Sequence, residues 1–159
     1  MKPARLSRRL SALAAALGSA LLLGLTPLPG AHAAPTAPGT PVDVNGQLKV
    51  CGTKLCNQYG KPIQLRGMST HGLQWFSRCY NTGSLDTLAY DWRADLLRIS
   101  MYVQEDGYET NPAGFTAQVN NLVDQAEARG MYAIIDFHIL TPGDPMYNLE
   151  RAKTFFAAV

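Results

Sequence analysis

The sequence predicts an α/β fold: a parallel sheet covered by helices, arranged as part of a (β/α)8 barrel. Two observations carry the sheet. The strand-like runs DLLRISMY and MYAIIDFH are almost continuously apolar, and amphipathic helix patterns alternate with them. A third observation separates the barrel from an open, doubly wound sheet. No glycine-rich phosphate loop follows the first strand. Every strand ends instead on polar or aromatic side chains: His71 and Trp75, then Tyr102, then Asp136 and His138. In barrels the chemistry sits at that C-terminal rim.

Taken in order, the chain opens with a leader. Lys2, Arg5, Arg8 and Arg9 precede a charge-free apolar run, and Ala31-His32-Ala33 offers small residues at the cleavage positions. Residues 1–33 are therefore expected to be a secretory signal peptide cut after Ala33, giving a secreted, extracellular protein. Pro27, Pro29 and Gly30 argue against a membrane anchor. Ser11 and Ala12, where a twin-arginine signal needs bulky apolar residues, favour the general secretory route. Cleavage moves the formal charge from +2 to −2, because four basic residues leave and no acidic ones do. The mature chain then has no basic excess for nucleic acid or an anionic membrane, and neither is expected as a partner.

Residues 34–46, rich in Pro, Thr and Gly, read as a flexible lead-in. Residues 47–159 form the barrel segment. It starts with a hairpin at about 47–58, where Cys51 and Cys56 flank Gly52-Thr53-Lys54-Leu55 and can pair across a tight turn. Cys79 is left without a partner in this chain. IQLRGMST is the first strand and ends at His71. SLDTLAY is a short helix with Ser84 as its N-cap. DLLRISMY is the second strand. Asn111-Pro112 opens a helix whose apolar residues Phe115, Val119, Leu122, Val123 and Ala126 share one face, and Gly130 closes it. MYAIIDFH is the third strand. Tyr147-Asn148-Leu149 leads into a third helix with Leu149, Ala152, Phe155, Phe156 and Val159 on one face. A whole barrel takes roughly 250 residues. Three βα units of eight are present, so an N-terminal portion is expected, with an open sheet edge.

Three ionisable side chains lie inside these strands: Arg66, Arg98 and Asp136. An internal pairing of Arg66 with Asp136 is the expectation for those two. Arg98 cannot lose its proton, so its burial requires an anion or several carbonyls, and no carboxylate of this chain is assigned to it.

RGMSTHGLQWF, DLLRISMYVQEDGYETNP, GMYAIIDFHIL and PGDPMYNLERAKTFF together closely resemble bacterial endoglucanases of glycoside hydrolase family 5. The resemblance runs in order from about Val44 to Val159. It implies a barrel that hydrolyses internal β-1,4-glucosidic bonds of cellulose with retention of configuration. His71 would hydrogen-bond sugar hydroxyls, with Trp75, Phe76 and Tyr102 lining glucose subsites. Arg98 would hold the nucleophilic carboxylate, and His138 would sit near the bond being broken. Phe137 departs from the Trp common between that Asp and His.

A retaining glycosidase needs two carboxyl groups about 5–5.5 Å apart. The resemblance places both catalytic glutamates on later strands, so this chain is expected to be inactive alone. The loop acids Glu105, Asp106, Glu109 and Asp144 read as solvated. No metal site or other cofactor is expected, since no ligand spacing such as CxxC or HExxH occurs. The expected partner is a β-glucan polysaccharide, bound by a monomer. The alternatives are a same-fold hydrolase of mannan or mixed-linkage glucan and a non-catalytic carbohydrate-binding fragment.

Overall fold

The computed structural model describes residues 37–159, so the signal peptide expected over residues 1–33 lies outside the described residues. Helix α1 (Pro41–Asn45) comes first, followed by β1 (Lys49–Cys51) and β2 (Lys54–Cys56), which pair antiparallel around Gly52-Thr53. Cys51 and Cys56 are joined across this hairpin, with Cα atoms 6.0 Å apart. The lead-in is more ordered than its composition suggests. Thr40 caps α1 through its side chain, the Val42 N–H donates to the Gly130 carbonyl, and the Tyr132 hydroxyl donates to the Gly46 carbonyl. These two cross-contacts tie the described part of the lead-in to the sheet end away from His138.

The sheet has three parallel strands in the order β3 (Gly67–Ser69), β4 (Leu96–Tyr102) and β5 (Tyr132–His138). The first strand is shorter than expected from residue 63 onward. Strand β4 begins at Leu96, opposite Gly67, so the upstream residues have no ladder to join. They bond elsewhere: the Ile63 N–H donates to the Leu55 carbonyl and the Arg66 N–H to Asp95 Oδ2.

Helices cover one face. After β3 come α2 (Leu73–Phe76) and α3 (Thr82–Asp86), the latter running on as a π-type turn over Thr87–Asp91. The cap of α3 is Asn81, not Ser84. Asn81 accepts from the Ser84 N–H while the Ser84 hydroxyl accepts from the Asn81 N–H, a reciprocal box that starts the helix earlier. Helix α4 (Pro112–Glu127) begins at Asn111-Pro112 as expected, and Gly130, at φ +66°, turns the chain back toward β5. Helix α5 (Leu149–Phe156) follows.

Residue parity divides the sheet. Leu97, Ile99 and Met101 face the helices and are buried with Leu73, Leu85, Val119, Leu122 and Phe155. Arg98 and Ser100 take the opposite parity, on the side where Ser69 and Asp136 lie. Arg129, at the end of α4, ties the helical layer together through Asp86 (2.7 Å) and the carbonyls of Thr82 and Gln125. On the third helix face Phe155 is fully buried, whereas Phe156 stays about half exposed with one side against Phe137. An apolar groove of about 330 Å³, lined by Met68, Thr70, Tyr80, Leu85, Leu88 and Leu97, lies between β3 and the helical segment that follows it. No described helix is long and apolar enough to cross a membrane.

Candidate functional site

Each strand end contributes to one continuous surface. The Thr70 N–H donates to the Arg98 carbonyl, and the Thr70 hydroxyl accepts from the Ser100 N–H (2.8 Å). This carries the β3–β4 pairing just past the strand and stations His71 at the rim. Gly72 then starts α2 within one residue. A Cβ at Gly72 would lie 2.9 Å from Trp75 Cε3, so only glycine admits the indole this close. Tyr80 clamps the corner: its hydroxyl accepts from the His71 N–H (2.8 Å) and donates to the His71 carbonyl (3.2 Å). Burial raises the pKa of that phenol, the bond to His71 opposes the rise and Cys79 adds to it, so the hydroxyl keeps the proton it donates.

The aromatic rings form a strip. The His71 ring lies 5.1 Å from Trp75, 5.3 Å from Phe76 and 6.1 Å from Tyr102, almost parallel to the last. Tyr102 is 5.1 Å from Trp75 and 4.3 Å from His138. Trp75 and Phe76 remain 39 % and 42 % exposed. Five residues expected at the site from sequence, on three successive strand ends, therefore form one open surface.

The sixth, Arg98, lies alongside in a polar cluster. Its Nη1 donates to the Ser69 hydroxyl (2.7 Å) and its Nη2 to Asp136 Oδ2. The same Asp136 oxygen accepts from the Ser100 hydroxyl (3.2 Å) and lies 3.0 Å from His138 Nδ1. Two sequence expectations are corrected here. Asp136 pairs with Arg98, not with Arg66, and Arg98 does have a carboxylate within this chain. Arg66 instead extends into solvent near Asp95 (3.9 Å). Register is the cause: Arg98 and Asp136 are two residues out of step on adjacent strands and share a face.

Polar residues with no periodic signature complete the rim, and sequence reasoning passed over them. Gln74 donates to the Glu105 carbonyl (3.2 Å), and Gln104 bonds both backbone groups of Thr141. Each ties two rim loops together. Of the loop acids, Glu109 pairs with Arg151 (3.2 Å) and Asp144 accepts from the Met146 N–H (2.9 Å). Both have structural partners.

Parallel strands followed by helices, with aromatic faces and a charged cluster gathered at their C-terminal ends, have the arrangement of the strand-end face of a (β/α)8 barrel. The profile of the cellulase family, glycosyl hydrolase family 5, matches residues 56–159, and the chain belongs to that family. It is 73% identical over 123 residues to endoglucanase CelA of Streptomyces lividans, covering 77% of this chain and 27% of that protein. Endoglucanase E-5 of Thermobifida fusca is 65% identical over 121 residues, covering 76% and 26%. The chain thus spans about a quarter of the length of the curated relatives it matches. The crystal structure of the catalytic domain of Thermobifida fusca endoglucanase Cel5A superposes with a TM-score of 0.74 at 66% identity. That match covers 75% of this chain and 39% of that one, and a complex of a variant of that domain with cellotetraose gives the same figures. The parallel strands β3, β4 and β5 are accordingly part of a (β/α)8 barrel.

Proposed function

We propose that the chain supplies the first three βα units of a secreted endo-β-1,4-glucanase that retains anomeric configuration, and that its rim binds glucose units of cellulose. The observation that carries this reading is the strip Phe76–His71–Trp75–Tyr102–His138, which runs across three strand ends beside Arg98. Sugar rings present apolar C–H faces and hydroxyl edges, and flat rings interleaved with imidazole nitrogens suit both. The matching catalytic domain from Thermobifida fusca, one form of which holds cellotetraose, supports the same substrate class. Export is proposed from the leader pattern of residues 1–33.

In this reading His71, Trp75, Phe76 and Tyr102 bind glucan, His138 sits beside the scissile bond, and Arg98 orients the nucleophile. Arg98 donates through two nitrogens to Ser69 and Asp136, which fixes its guanidinium plane. The acid/base and nucleophile are proposed to come from later strands of the barrel, because Asp136 is committed to Arg98 and His138.

The test is a chimera in which residues 37–159 replace the matching part of the Thermobifida fusca catalytic domain. The chimera is expected to hydrolyse carboxymethylcellulose, whereas the 159-residue chain alone is expected to show no turnover. In the chimera, Trp75→Ala should weaken cello-oligosaccharide binding by roughly 1–3 kcal/mol, the scale of an aromatic anchor, measured by calorimetry. An inactive but folded chimera, or one that prefers mannan, would overturn the reading.

A further inference from the structure

We infer that Asp136 is a positioning residue and that the two rim histidines are held in opposite tautomers, so that one offers a donor and the other an acceptor to the glycan. This rests on the glucan-binding reading above.

The tautomers follow from what each Nδ1 faces. The Gly72 backbone N–H points at His71 Nδ1 from 2.7 Å. A backbone N–H can only donate, so His71 Nδ1 accepts, and the neutral ring carries its proton on Nε2. At His138 the situation is reversed. Its Nδ1 lies 3.0 Å from Asp136 Oδ2, and an ionised carboxylate can only accept. Nδ1 therefore carries the proton, and Nε2 of the neutral ring keeps a lone pair. Arg98 Nη2, 3.5 Å from the same Nδ1, is turned to the carboxylate and does not compete.

Neither Nε2 has a protein partner among the described residues. Tyr102 neighbours both rings, 6.1 Å from His71 and 4.3 Å from His138, so the two imidazoles flank one aromatic ring of the rim. A sugar hydroxyl both donates and accepts. Imidazoles that differ in this respect ask opposite things of the hydroxyls they meet, one to accept and the other to donate.

Asp136 is the hub of this arrangement. One of its oxygens collects Arg98, Ser100 and His138, three donors from β4 and β5. A carboxylate oxygen accepts from all three. Losing it would free the His138 ring to take its other tautomer and would release one arm of Arg98. The carboxylate reaches the substrate only through those two side chains.

The experiment is a long-range 1H–15N correlation spectrum of the 159-residue chain at about pH 8, above the ordinary histidine range. His71→Gln and His138→Gln variants assign the rings. His71 is expected as Nε2–H and His138 as Nδ1–H. The same tautomer on both rings would overturn the inference, and this reading needs no substitution at Asp136. Asp136→Ala should then shift His138 toward Nε2–H and leave His71 unmoved; an unmoved His138 would equally overturn it. In the chimera, Asp136→Ala should lower kcat on the order of tenfold to a hundredfold with KM changed less, and an unchanged kcat would remove the positioning role. A chimera inactive with Asp136 in place would sink the glucanase reading alone, since the tautomers are read without substrate.

Discussion

Replacing Phe155 by alanine is expected to cost about 3–5 kcal/mol of stability, the range for deleting a buried aromatic ring. Phe155 has no solvent exposure. Its ring meets Tyr108 at 5.3 Å, Phe137 at 5.4 Å and Phe156 at 5.1 Å, so it joins α5 to β5 and to the segment after β4. Backbone elements on three sides limit how far the site can collapse, and the cavity remains. The net stability of a domain is only about 5–15 kcal/mol, so the urea midpoint followed by tryptophan fluorescence should fall steeply or the transition vanish. Phe155→Leu, which keeps much of the volume, should lose less. A cost below about 1 kcal/mol for the alanine variant would show that this cluster does not hold α5.

Arg98→Ala in the chimera is expected to lower kcat/KM by on the order of a hundredfold or more, the scale of a misplaced reacting group. The guanidinium bridges Ser69 and Asp136 from separate nitrogens, and the proposed nucleophile would share it. Arg98→Lys should rescue little, because one ammonium cannot span two fixed partners in a plane. Stability should move less. The Arg98 and Asp136 side chains are 37 % and 23 % exposed, so water replaces part of the lost interaction. Steady-state kinetics on both variants decides it: full rescue by lysine would reduce Arg98 to a simple positive charge.

Much of the rim was legible in the sequence. His71, Trp75, Tyr102 and His138 stand where apolar runs end, Phe76 was named only from the family resemblance, and all five meet in one strip. Strand periodicity explains that success, because β4 and β5 are long enough for their ends to be read from pattern alone. Short elements were less legible. The start of α3 at Asn81 depends on a reciprocal hydrogen bond, and several polar residues nearby could have served as caps. Gln74, Gln104 and Tyr80 hold rim loops through side-chain contacts to backbone groups that leave no periodic trace.

By itself, then, the sequence determined which runs form strands and which form helices, and which residues stand at the strand ends. Those are local matters of period and punctuation. It could not pair Arg98 with Asp136. That depends on the register of β4 against β5, across 38 positions of chain, and one step of slip would turn either side chain to the other face. The tertiary structure alone made this choice, and with it decided which nitrogen of His138 carries a proton and which is left for a ligand.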